Sequence, residues 1–147
     1  MNESSSTTDR TTFRHRCAAH LKAEREKIGL SQERLAERAG FHRSYVSQVE
    51  RSVQNVSLDN LERLHLALVE SQPSANSKSW RTRFAENMKR KRISLGLSQE
   101  KLAEMAGLHR TYVSQVERGV TSISLDNVEK LAVALGQDED SLLAARM

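Results

Sequence analysis

Residues 95–119 read LGLSQEKLAEMAGLHRTYVSQVERG, and residues 28–52 read IGLSQERLAERAGFHRSYVSQVERS. The two strings are one unit written twice. Outward from them, residues 13–68 align without a gap on residues 80–135, and 33 of those 56 positions are identical. Self-similarity on this scale turns the 147-residue chain into two small foldable copies rather than one medium domain. Between the copies lies ESQPSANSKS (70–79), polar, Ser-rich and holding the single proline, which reads as a linker. The start, MNESSSTTDRTT (1–12), reads as a disordered polar tail and not as a secretory signal. The expected organisation is therefore a tail at 1–12, a first domain at 13–69, a linker at 70–79 and a second domain at 80–147.

Each copy reads as helices. In the second, Ser79 caps a helix over Trp80–Ser94 with Phe84, Met88 and Leu95 on one apolar face. Ser98 then caps a short helix over 99–106 that Gly107 closes, and a third helix spans 110–118 with Val113 and Val116 inward. Ser124 caps a fourth, Leu125–Leu135, and Ser141–Ala145 forms a short fifth helix. The first copy matches through four helices, 13–27, 32–39, 43–51 and 58–69. Where the second copy has DEDSLL the first has SQPSAN, so the first lacks its own fifth helix and leaves apolar surface for Trp80 or a partner to cover. Ser52 stands where the second copy has Gly119, a mild cost if the chain turns left-handed there. The fold class is all-α, two tandem small helical bundles.

Composition supports this and removes alternatives. Aromatics are 4% of the chain, with six glycines, too few for a β-sandwich of many short strands. One cysteine permits no internal disulfide and points to a reducing compartment. No apolar run approaches the ~20 residues of a membrane span. Histidine spacing suggests no metal site, no Gly-rich phosphate loop occurs, and Cys17, aligned with Phe84, reads as a core filler. Neither a catalytic set nor a cofactor or small-molecule site is expected. The net charge of +4, from 23 basic and 19 acidic residues, does not by itself name a partner. Its placement says more, because residues 81–92 hold six basic residues against Glu86 alone.

The two short helices joined by a tight Gly-containing turn have helix-turn-helix spacing. With Val113 and Val116 inward, the opposite face of the second helix carries Arg110, Thr111, Ser114, Gln115 and Arg118. The first copy presents Arg43, Ser44, Ser47, Gln48 and Arg51 at the same places. Arg and Gln are the side chains that fork onto guanine and adenine edges in the major groove, and small hydroxyls leave room for its wall.

Residues 28–52 and 95–119 resemble the phage-repressor/Cro-like (Xre-type) helix-turn-helix family, over residues 13–69 and about 80–143. HRTYVSQVERG followed by SLDN has a weaker similarity to controller proteins of restriction–modification systems. The resemblance implies sequence-specific binding of double-stranded DNA by a transcriptional regulator, working in the cytoplasm on the nucleoid. It implies base contacts from Arg43, Ser44, Ser47 and Gln48, and from Arg110, Thr111, Ser114 and Gln115. It implies phosphate contacts from Arg25, Gln32, Arg51, Arg92, Gln99 and Arg118. It also implies two structural ion pairs, Arg25 with Glu50 and Arg92 with Glu117. His42 and His109 fall in the turn as expected caps, and the Tyr45 and Tyr112 hydroxyls are free to meet phosphate.

Family members usually bind as homodimers with two reading helices one DNA turn apart, whereas this chain owns two readers. It reads as a covalent pseudo-dimer for two similar half-sites, with a further homodimer left open. The ten-residue linker has a coil dimension of roughly 16–19 Å and a stretched limit of about 33–36 Å, which allows neighbouring half-sites. Two other readings stay open: an antitoxin-like or adaptor module that binds protein, and a division in which one copy binds DNA and the other dimerises.

Overall fold

The computed structural model describes residues 11–70, 72 and 74–144; the tail expected at 1–12 lies outside the described residues up to residue 10. The first copy comprises α1 (Phe13–Lys27), α2 (Gln32–Ala39), α3 (Arg43–Glu50) and α4 (Leu58–Val69). The second comprises α5 (Trp80–Ser94), α6 (Gln99–Ala106), α7 (Arg110–Glu117), α8 (Leu125–Leu135) and α9 (Glu139–Leu143). No strand is formed among the described residues, apart from one isolated bridge between Ser57 and Ser124. The molecule is all-α, and among the described residues no helix lies between α4 and α5 to serve as a fifth helix for the first copy.

Side-chain oxygens start most of the helices. Ser31 and Ser98 accept from the N–H of Arg34 and Lys101, and Ser57 and Ser124 do the same for Asn60 and Asn127. Asp138 accepts from Ser141 N–H, which starts α9 at Glu139, two residues before the expected Ser141. That bond also pulls the Asp138 carboxyl below its usual range. The expected end at Ala145 lies outside the described residues. Helices α3 and α7 stop one residue short of the expected arginines, which are their C-caps. Leu95 is exposed instead of joining the core, because α5 has already ended and Leu95 is its cap.

The core repeats with the sequence. Leu35, Val46, Leu58 and Leu64 are sealed in the first copy, and Leu102, Val113, Leu125 and Leu131 hold the same places in the second. Buried apolar side chains continue from one copy into the other.

The copies meet by reciprocal contacts. Leu58 N–H donates to Ile123 C=O at 2.8 Å, and Leu125 N–H donates to Val56 C=O at 3.0 Å. Arg14 pairs with Asp126 at 3.6 Å, and Arg81 pairs with Asp59 at 2.9 Å. Each contact maps onto its mate when 67 is added to one partner and subtracted from the other, the mark of an isologous, two-fold interface. Helix α1 leans on α8, and α5 leans on α4. Trp80 N–H donates to Glu62 at 3.2 Å and its ring lies 5.4 Å from that of His65, so Trp80 covers part of the first copy's bare surface.

The left-handed step after α3 and after α7 is kept in both copies, at φ 60 for Ser52 and φ 68 for Gly119. Nothing lies within 4 Å of a Cβ built on Gly119, so adding one costs only torsional energy. Gly119→Ala should lower unfolding free energy by about 1–2 kcal/mol. Ser52→Gly should raise it by less, since glycine loses more backbone entropy on folding. Urea denaturation of both variants checks the pair, and an unchanged midpoint for Gly119→Ala would contradict the torsional account.

Candidate nucleic-acid interface

Gly40 and Gly107 end α2 and α6 in left-handed conformations. Phe41 N–H then returns to Ala36 C=O at 2.9 Å, and Leu108 N–H to Ala103 C=O at 2.8 Å. These bonds close the turn and set α3 against α2 and α7 against α6. The inner faces of the second helices are Val46 with Val49 and Val113 with Val116, all buried.

Their outer faces hold the candidate readers. Arg43, Ser44, Gln48 and Arg51 are exposed and Ser47 is half-buried; Arg110, Thr111 and Arg118 are exposed, while Ser114 and Gln115 are half-buried. None of the four arginines has an acidic partner among the described residues. Four full cations therefore stand in water on two equivalent surfaces, open to an external anion or base edge.

The first helices are tied to the same surfaces from behind. Arg25 Nε and an η-nitrogen donate to the two Glu50 carboxylate oxygens at 2.6 and 2.9 Å, and its other η-nitrogen donates to Leu30 C=O at 2.7 Å. In the second copy Arg92 grips Glu117 at 2.5 and 2.9 Å and reaches Leu97 C=O at 2.8 Å. Hydrogen bonding to the carboxylate raises both guanidinium pKa values further, against the opposing effect of burial. Gln32 and Gln99 each donate a side-chain N–H to the same carboxylate at 3.0 Å. The residues expected on phosphate at these positions thus form an Arg–Glu–Gln cluster in each copy, with one amide proton of each glutamine still unspent.

The turn differs from expectation in one detail. His42 and His109 sit at the N-caps of α3 and α7 but make no side-chain cap bond. Tyr45 and Tyr112 are half-buried, and their hydroxyl oxygens accept from the Asn60 and Asn127 amides at 3.1 Å, leaving each phenol only its proton to donate. The asparagines were not marked by sequence reasoning, though both lie in the repeated SLDN. Burial pushes the Cys17 thiol up to about 12, so it is a partly buried, protonated side chain packed against the core and a poor nucleophile. No group of three or more potential metal ligands occurs among the described residues, and no helix there is long and apolar enough to cross a membrane.

The Glu50 side chain is 1% exposed and that of Arg25 10%. Glu50→Ala strands a buried guanidinium and should cost about 3–5 kcal/mol, whereas Glu50→Gln, which keeps an acceptor, should cost less. Denaturant titration distinguishes them; equal losses would mean that only the negative charge matters and that the retained amide acceptor contributes nothing.

Residues 21–68 and 88–142 each match the helix-turn-helix family. Control protein C.BamHI of Bacillus amyloliquefaciens is 48% identical over 61 residues, which cover 41% of this chain and 75% of that protein. A Neisseria hypothetical transcription factor from Neisseria meningitidis serogroup B is 55% identical over 53 residues, 36% of this chain and 50% of that one. Among solved structures, the restriction-modification controller protein C.AhdI from Aeromonas hydrophila is 44% identical, covering 42% of this chain and 94% of that chain at a TM-score of 0.41. The chain belongs to the Xre-type helix-turn-helix family of DNA-binding transcription regulators, with the family's unit present twice.

Proposed function

We propose that one chain acts as a complete two-headed reader, binding two similar half-sites in adjacent major grooves as a controller-type regulator. The reciprocal interface carries this reading. It joins two units whose outer faces differ only by Ser44 against Thr111 and relates them as a dimer's subunits are related. Two-fold proteins of this kind meet two-fold DNA sites. Because the copies touch directly, this interface rather than the linker length sets the separation of the reading helices.

In each half, Arg43 or Arg110 and Gln48 or Gln115 meet base edges, with Ser44, Ser47, Thr111 and Ser114 packed on the groove wall. Arg51 and Arg118, with the remaining donors of the Arg25–Gln32 and Arg92–Gln99 clusters, face phosphate. The glutamates hold those clusters at the base of the reading helix, so a phosphate contact is aligned with the base contacts.

Site selection from random DNA should return a paired motif. On that duplex, Arg43→Ala and Arg110→Ala should each weaken binding by about 1–3 kcal/mol. One silent variant would assign the silent copy to dimerisation, and unchanged affinity in the double variant would favour a protein-binding module. A steep fall of affinity with salt should accompany binding, and Arg51→Ala should flatten it.

A further inference from the structure

The bare face of the first copy is a groove of about 410 Å³ between the two copies, walled by Cys17, Leu21, Leu61 and Leu68, to which the second copy adds Trp80, Asp140 and Leu143. The same groove in the second copy is occupied. There α9 lies on α5 and α8, with Leu142 buried among the apolar side chains. Two polar anchors hold it. Asn87 donates to the Leu142 and Ala144 carbonyls at 2.8 and 2.9 Å, and Arg16 of the first copy donates to Glu139 at 2.6 Å.

The apolar wall of that seat, and the position of Asn87, have counterparts lining the open groove. Cys17 and Leu21 stand for Phe84 and Met88, and Leu61 and Leu68 stand for Val128 and Leu135. His20, on the groove wall, stands for Asn87 and can donate to helix-end carbonyls through its ring N–H. Arg83 is the sequence counterpart of Arg16 but lines a separate hollow with Lys78 and Asn87; it is half-buried, and its side chain has no ion-pair or hydrogen-bond partner among the described residues. What is missing is the helix, because position 72 is Gln rather than acid and residues 74–76 are Ser-Ala-Asn where α9 ends Ser-Leu-Leu.

We propose that this groove is a docking site for a short amphipathic helix of a partner protein, with an acid in its first turn and a leucine three residues later. The occupied groove supplies the template. The leucine fills the seat between Leu21 and Leu68, the helix-end carbonyls meet His20, and the acid draws Arg83 across from its hollow. A second leucine packs on Leu143, as the two-fold relation requires. The site is separate from the reading faces and stands whether or not both copies bind DNA.

The probe is a fluorescein-labelled, helix-stapled peptide of residues 137–144, QDEDSLLA, titrated onto the full chain. Saturable binding is expected. A peptide with Leu142 changed to serine should bind about ten- to hundred-fold more weakly, from the loss of one buried leucine. Arg83→Ala, at a half-buried surface position, should weaken binding several-fold and leave the unfolding midpoint nearly unchanged. A full chain with residues 71–76 replaced by DEDSLL fills its own groove, so it should be more stable and lose the peptide. No saturable binding, or equal binding of the serine peptide, would overturn the proposal. Binding that appears only after deletion of residues 1–10 would give the groove to the chain's own N-terminal segment. Concentration-dependent dimerisation abolished by the DEDSLL replacement would give it to a second copy. Either result would also overturn the partner assignment.

Discussion

Two backbone hydrogen bonds, Leu58 to Ile123 and Leu125 to Val56, cross the plane between the copies, and much of the molecule's geometry follows from them. They lie just before the fourth helix of each copy, where Ser57 and Ser124 also serve as caps. A shift at this crossing would therefore move the helix that forms the floor of each bundle. The ion pairs Arg14–Asp126 and Arg81–Asp59 flank it, each joining a first helix to the opposite fourth. All four charged side chains are only about one-third exposed or less, so these pairs are screened less than surface pairs and help fix the angle of approach.

Within a copy, most of the architecture was legible because the determinants are local. Serines at helix starts, glycines at helix ends and valines three apart each act over a few residues, and they predict α2, α3, α6 and α7 to within one residue. The Arg–Glu pairs connect residues 25 apart in the chain and were legible only through family resemblance, since spacing alone cannot bring Arg25 to Glu50. The interface was legible as an expectation of pairing, but not in its residues. Nothing about Arg14 or Asp59 in isolation distinguishes an interfacial charge from a solvated one. Their reciprocity emerges only when both copies are placed in space.

The departures from symmetry are equally physical. Phe41 replaces Leu108, and Arg63, over its ring at 4.1 Å, also donates to Ala39 C=O at 2.7 Å. The second copy has Lys130 there, which cannot present the same flat face. The first copy thereby reinforces its turn from outside while carrying a serine in a left-handed conformation and lacking a fifth helix. Even so, the two reading faces remain nearly identical. The differences fall at the margins of the unit, whereas the outer faces of α3 and α7 differ only by Ser44 against Thr111.

Covalent connection also alters the order of the assembly reaction. When two separate chains must meet, the docked population at low concentration grows with the square of protein concentration and falls apart on dilution. Here the mating surfaces are held together by residues 70–79, and docking is a unimolecular equilibrium. The docked fraction is then the same for a handful of molecules as for thousands, and the amount of docked protein follows synthesis in simple proportion. For the docking of its two copies on each other, a chain built this way has no concentration threshold.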